Sequence, residues 1–389
     1  MEKEKIMSFV KKYTMIIVLV LVMIFFGIGT GGKLFLPQNV TNLISQNAYV
    51  FVLATGMLLC ILTGGNIDLS VGSVVCFTGA VGATMMAKGI NSAAAVFTML
   101  AVGLIIGSVQ AFCIAYIHVP PFITTLAGML AFRGLSNVVL NGMTVSVTNE
   151  GFQKIFGGGA NCYVPDLFGM EGFNLTCMLL GIIACVIYVA IQVNGRLSRV
   201  KKGYEVDSLT GMIIKTVVIC AAICVLAFKL SQYKGIPTVL IWVLLVVLIY
   251  GYITSKTTIG RYFYAVGGNE KATKLSGINT NRVYFLAYAN MGLLAGLAGI
   301  LTIARLTSAQ PTYGQNYEMD AIGSCFIGGA SAYGGTGTVP GVIIGAVLMG
   351  IINLGMSIMG VDSNWQRVVK GIVLLLAVIF DVTTKKESK

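Results

Sequence analysis

The residues of this chain with the type and spacing to do chemistry sit against long apolar runs. Asp68 stands in the stretch Gly64-Gly65-Asn66-Ile67-Asp68-Leu69-Ser70-Val71-Gly72, between two such runs. An ionisable side chain beside hydrocarbon is a functional candidate by default. The same carboxylate, or Asn66, has the reach to cap the following helix by accepting from its free backbone N–H groups, while the glycines permit a sharp turn. On that reading the turn shapes the inner mouth of a pathway, with Gly64, Gly65, Asp68, Ser70 and Gly72 as its residues.

Arg133 lies inside an apolar run, so its guanidinium must find a carbonyl, an acid or a wet cavity. Structural pairing and pathway lining both satisfy that demand. Further on, Thr307, Ser308, Gln310, Tyr313, Gln315 and Tyr317 offer hydroxyls and amides, followed by the acids Glu318 and Asp320. Such groups suit a neutral polyhydroxylated solute passing by hydrogen bonding, and equally a partner docking from outside. An ordinary exterior loop is the plainer alternative.

Other chemistries find no support. Gly27-Ile28-Gly29-Thr30-Gly31-Gly32-Lys33-Leu34 has the glycine and lysine spacing of a phosphate loop, but Leu34 stands where Ser or Thr must hold magnesium. A transport system built on this chain must therefore draw any ATP energy from another subunit. The single histidine, His118, rules out a multi-histidine metal site, and the nine cysteines have no zinc-knuckle spacing and read as small apolar residues. Neither a metal centre nor a nucleophile–base pair for an intramembrane enzyme can be assembled.

These residues must be positioned by membrane helices. Hydrophobic residues make up 56% of the chain and charged ones 10%, where a soluble domain carries roughly 25% charged residues. The mean hydropathy is +0.87. The net charge of +12 does not indicate nucleic-acid binding, because the 26 basic residues are dispersed between apolar runs. Glycine, 48 of 389 residues, is well above its usual ~7% and suits close helix packing in lipid.

Apolar runs of about 20 residues span a bilayer. They predict crossings near 13–31, 41–62, 67–87, 92–117, 121–140, 174–193, 211–230, 236–253, 282–304, 321–333, 339–359 and 366–382. The tenth is short and interrupted by glycine, and spans or re-enters. The positive head and first run form a retained helix, not a cleaved signal peptide. Lys and Arg concentrate in the head, between Arg196 and Lys215, between Lys256 and Arg282, and in the tail. The positive-inside rule then puts both termini in the cytoplasm.

Two polar stretches remain. The exterior one, about 141–173, holds a glycine cluster at 157–159 and the acids Glu150, Asp166 and Glu171. The cytoplasmic one, 258–281, predicts a short helix with Asn269 as its cap, Glu270 in its first turn and Gly277 at its end. It reads as a docking element or as a solvated connector.

Taken together, the stretches GGNIDLSVG from Gly64, PPFITTLAGMLAFRGLS from Pro120, GRYFYAVGGNEKATKLSGIN from Gly260, ARLTSAQPTYGQNYEMDAIGSCFIGGASAYGGTGTVPG from Ala304 and WQRVVKGIVLLLAVIFD from Trp365 resemble the permease subunits of bacterial ABC importers for monosaccharides. The resemblance covers most of the chain, in the family's order, and is nearest to the longer xylose or multiple-monosaccharide branch. Residues 194–254 would be a branch-specific insertion with two extra helices. The resemblance implies a single all-α polytopic permease domain of about 10–12 transmembrane helices, like a type II ABC importer, in the bacterial plasma (inner) membrane. It also implies a homodimer, a tandem-domain cytoplasmic ATPase that carries the ATP and magnesium, and an extracytoplasmic sugar-binding protein or lipoprotein. This chain would bind no cofactor. The coupling helix would lie within 260–278, with Gly267, Gly268, Asn269, Glu270, Ala272 and Gly277 as its residues. Permeases for nucleosides or branched-chain amino acids share the broad architecture, and a proton-coupled carrier is a third reading that Asp68 alone supports thinly.

Overall fold

The computed structural model describes residues 2–158, 162–169, 172–204, 206 and 208–386. Gly159 and Glu171 of the stretch expected to be exterior and Lys389 of the tail lie outside them, as do the side chains of the head lysines. The chain forms α1 (Glu2–Gly29), α2 (Pro37–Gln46), α3 (Ala48–Leu62), α4 (Val71–Ala87), α5 (Ser92–Ala115), α6 (Pro121–Leu140), β1 (Val145–Ser146), α7 (Glu150–Phe156) and α8 (Leu175–Lys201). There follow α9 (Leu209–Ser231), α10 (Thr238–Lys256), α11 (Thr258–Gly268), α12 (Glu270–Leu275), α13 (Thr280–Leu306), β2 (Ser308–Ala309), α14 (Tyr317–Ile327), α15 (Val339–Ile358) and α16 (Ser363–Lys386).

Among the described residues, α5, α6, α8, α9, α10, α13 and α15 are long and apolar enough to cross a membrane. The pair α2–α3, bent by 43° at its break, passes the same test only when taken together, which would bring the count to eight. Two shorter apolar helices, Met15–Gly29 within α1 and the whole of α4, accompany them. The molecule is an all-α polytopic membrane protein. The glycine-lysine stretch after Gly27 ends α1 and enters a short 3-10 turn at Lys33–Phe35, with Thr30 Oγ1 donating to the Phe26 carbonyl. This is no phosphate loop, which joins a strand to a helix.

Contacts divide the chain into two units. The smaller holds Phe35–Asn42 and Tyr163–Thr238. Within it α8 and α9 form an antiparallel hairpin, since the Cys177 thiol donates to the Ala227 carbonyl and the Cys185 thiol to the Cys220 carbonyl. The stretch expected as an insertion, 194–254, runs across both units. Its first boundary cuts through α8, and α10 falls almost wholly in the larger unit.

The larger unit is built around α3 and α13. Nearly every residue of α3 is buried, and α13 is the most buried of the long spans. In lipid there is no hydrophobic drive to bring helices together, so close approach depends on small side chains. Gly103 and Gly107 of α5 meet Gly292 of α13 backbone to backbone, where an added methyl would overlap the facing chain. Helix α4 runs parallel to α13, with Thr78 against Gly299 and Gly79 against Ile303.

Two spans in this unit are broken. After α3 the chain turns at Gly64 and Gly65, whose φ of +121° and +76° suit glycine. It then climbs back beside α3 until the Asp68 amide donates to Met57 Sδ at 3.4 Å and the Tyr288 hydroxyl to the Ile67 carbonyl at 3.4 Å. Helix α4 thus begins part-way along α3. The second break follows α13. Residues 307–316 fold back down α4, from Cys76, whose thiol donates to the Gln310 and Pro311 carbonyls at 3.5 Å, to Gly72, against which Gly314 packs.

Helix α14 departs furthest from the predicted spans. Its 11 residues rise about 16 Å, half of the ~30 Å hydrocarbon core, because Gly328 and Gly329 end it. Yet the chain continues alongside α3. Tyr49 bonds Asp320, the Cys325 thiol bonds the Ala54 carbonyl, and the Gly335 amide bonds the Leu62 carbonyl. Helix α14 and the irregular segment 328–338 together travel the length of α3. Irregular backbone at such depth survives only when buried in protein or lining a cavity.

Candidate functional site

At the Leu62 end of α3, three glycine-rich segments converge. An added methyl at Gly267 would overlap the Leu62 carbonyl and the Gly335 amide, and one at Gly65 would overlap the Ala332 carbonyl. Gly334 packs on Gly64 in the same way. The Tyr264 hydroxyl donates to the Gly337 carbonyl at 2.9 Å. The turn after α3, the break after α14 and the end of α11 are therefore in direct backbone contact. Movement of one must displace the others.

The short helix α12 hangs from this junction. Asn269 Oδ1 accepts from the Ala272 amide at 3.0 Å, and Glu270 stands in the first turn, which complements the helix dipole. Thr273 Oγ1 donates to the Ala265 carbonyl at 2.8 Å, folding α12 onto α11. Gly277, at φ +84°, closes the turn after the helix. Of the predicted coupling residues, Gly267 carries the packing, Asn269 and Ala272 form the cap, and Gly268 faces open space. The exposed Glu270 accepts from the Tyr284 hydroxyl at 3.1 Å. Beside it lies a cavity of about 210 Å³ lined by Asn66, His118, Glu270, Asn281 and Tyr284 among others. His118 turns the chain there at φ +62°.

Asp68 does not cap α4. Ser70 holds the cap position and makes no side-chain capping bond. Asp68 Oδ1 instead accepts from both the Ser70 amide at 2.8 Å and the Ser70 hydroxyl at 2.6 Å. The correction has a simple cause: Ser70 lies two positions after Asp68, the spacing at which an Asp side chain closes an Asx turn rather than reaching the first helical N–H groups. Gln110 Nε2 on α5 then donates to Ser70 Oγ at 3.0 Å, and Gly128 on α6 leaves room for that amide. The carboxylate thereby fixes the broken segment against two neighbouring helices.

The two breaks meet at Gly72, where an added methyl would overlap both the Gly314 carbonyl and the Glu318 carboxylate. Arg133 holds the second break in place: its Nη1 donates to the Tyr313 carbonyl at 2.6 Å and the Pro311 carbonyl at 3.2 Å. Ser308 Oγ and the Tyr313 hydroxyl lie 2.9 Å apart. A cavity of about 240 Å³ opens here, lined by Met129, Leu130, Arg133, Gln315, Asn316, Glu318 and Arg367. Arg133 thus pairs with two carbonyls and also borders this cavity.

Of the residues expected to line an outer pathway or meet a binding protein, Ser308, Gln310 and Tyr313 are half-buried. Glu318 and Asp320 are buried, at 8% and 1% exposure. Asp320 pairs with Lys370 of α16 at 2.9 Å and accepts from the Tyr49 hydroxyl at 2.7 Å, while the Tyr49 and Tyr317 rings stack at 3.5 Å. A carboxylate so enclosed presents nothing to a docking protein. Sequence reasoning missed Tyr49, Tyr264, Gly314, Gly335 and Lys370. The available signal was Lys370 itself, a cation inside an apolar run that demands an acid.

A family described as branched-chain amino acid transport system / permease component matches residues 39–378. The chain belongs to that permease family. The permease is 36% identical over 377 residues to the xylose transport system permease protein of Escherichia coli, covering 97% of this chain and 93% of the relative. Against the xylose transport system permease protein of Haemophilus influenzae the identity is 38% over 377 residues, covering 96% and 97%. Against the ribose import permease protein of Escherichia coli it is 37% over 348 residues, covering 89% and 86%. No solved structure matches the permease.

Proposed function

We propose that this permease is the membrane-spanning subunit of an ATP-driven importer for a monosaccharide, a pentose or hexose such as xylose or galactose. The xylose and ribose relatives, aligned over nearly the whole chain, support a sugar over the branched-chain amino acid of the family's description. A proton-coupled carrier has less support, because Asp68 is committed to Ser70 and Asp320 to Lys370.

The observation that carries the mechanism is the backbone contact of Gly267 with Leu62 and Gly335. It supports α12 as the coupling helix for a tandem-domain ATPase that binds ATP and magnesium. ATP binding and hydrolysis displace α12, the junction transmits that displacement to both broken spans, and the pathway opens to one side and then the other. Each ligand shifts that equilibrium only through its different affinity for the two states. The remaining assignments are a second permease copy, a sugar-binding protein or lipoprotein outside, a bacterial plasma (inner) membrane, and cytoplasmic termini by the positive-inside rule.

The test is reconstitution of the permease in liposomes with its ATPase and binding protein. Labelled monosaccharide accumulates inside only when ATP and both partners are present. Accumulation driven by a proton gradient without ATP would refute the reading.

A further inference from the structure

The cavity where the two breaks meet combines features that the coupling junction does not use. Arg133 and Arg367 bring guanidinium donors, Glu318 brings carboxylate acceptors, and Gln315 and Asn316 bring amides that do both. Met129 and Leu130 supply an apolar wall. Asn316 begins α14 at φ +64° without a side-chain capping bond, so its amide is not spent on the helix end. Arg133 commits Nη1 to two carbonyls and also meets the Cys76 thiol, which leaves part of its five-donor fork for a solute.

The place of this cavity matters as much as its lining. It lies beside α14's first turn, where the 307–316 segment has folded down along α4 to Gly72. Broken helices at depth are where membrane transporters bind their substrates. Its volume, about 240 Å³, falls below the roughly 300–1,000 Å³ of pockets for drug-sized ligands. The occupant is a small solute. Alternating donors and acceptors match vicinal hydroxyls, each of which donates and accepts, and the apolar wall matches the C–H face of a sugar ring.

We infer that this cavity is a transient sugar-binding subsite within the permease, which gives the membrane subunit a stereochemical filter of its own. The inference rests on the importer reading above. Sugar released by the binding protein is held here by Glu318, Arg367 and the amides during the change of access, and a weakened subsite lets it escape backward while ATP is still consumed.

The experiment uses the complete complex of permease, ATPase and binding protein in liposomes, with labelled D-xylose, D-ribose and D-galactose. In Glu318→Gln and Arg367→Gln, the sugar carried per ATP hydrolysed falls about tenfold and the order of preference among the three sugars shifts. Arg367 is exposed, so its variant reports even if Glu318→Gln fails to assemble. A transport-to-ATP ratio and a sugar preference unchanged in Arg367→Gln overturn the subsite, including when transport and hydrolysis fall together as they would for a folding fault. If the unmodified complex carries none of the three sugars, the importer reading fails and takes the subsite with it.

Discussion

Lys370 Nζ lies 2.9 Å from Asp320 Oδ1, an ion pair that ties α16 to the short helix α14. Asp320 is 1% exposed and accepts a second bond from the Tyr49 hydroxyl on α3. Removing one partner of such a pair leaves an uncompensated buried charge, which costs about 3–5 kcal/mol. Lys370→Met should therefore lower the thermal unfolding midpoint of the solubilised permease markedly. The double variant Asp320→Asn with Lys370→Met should recover much of that loss, because neither site then carries a charge. Equal midpoints for the single and double variants would show that the pair is not what holds α14.

The junction at Gly267 predicts a contrast between adjacent residues. A methyl at Gly267 overlaps the Leu62 carbonyl, whereas one at Gly268 meets open space. Gly267→Ala should abolish ATP-dependent uptake in the reconstituted complex, and Gly268→Ala should retain at least half of it. Similar uptake by the two variants would remove the basis for transmission through this contact.

Charge reversal on α12 probes the docking surface. Glu270 is exposed, and the hydroxyl of Tyr284 donates to it. Glu270→Lys should abolish uptake while the protein still reaches the membrane at normal abundance, and Tyr284→Phe should have a milder effect, since it removes one hydrogen bond and no charge. Normal ATP-driven uptake by Glu270→Lys would rule out docking through α12.

Asp68 offers a test of how the first break is held. Its Oδ1 takes two hydrogen bonds from Ser70, an acceptor role that Asn also fills. Asp68→Asn should be mild in stability and uptake. Asp68→Leu leaves the buried Ser70 amide unmet, at about 1–3 kcal/mol, while the Ser70 hydroxyl still reaches Gln110 Oε1 at 3.2 Å. Complete loss of uptake in both, with both stably folded, would point to a role for the charge itself.

Much of this was legible in the sequence. Hydropathy located the long helices, because a lipid-crossing segment must be apolar along its whole length and satisfy its backbone internally. Local rules also located α12, since Asn269, Glu270 and Gly277 act within a single turn of themselves. The role of Asp68 was half legible. Its need for a donor was clear, but an Asx turn and a helix cap differ by one residue of register.

The sequence alone therefore determined the class of molecule, the positions of its long apolar helices and the capped short helix α12, all of which depend on neighbours a few residues apart. Tertiary structure alone decided that 307–316 folds back down α4, that Asp320 is buried against Lys370, and that Gly267 touches Leu62 and Gly335. Those contacts join segments far apart in the chain, and backbone can approach backbone only where both sides lack a side chain. A count of glycines reveals that such places exist, and only the fold pairs them.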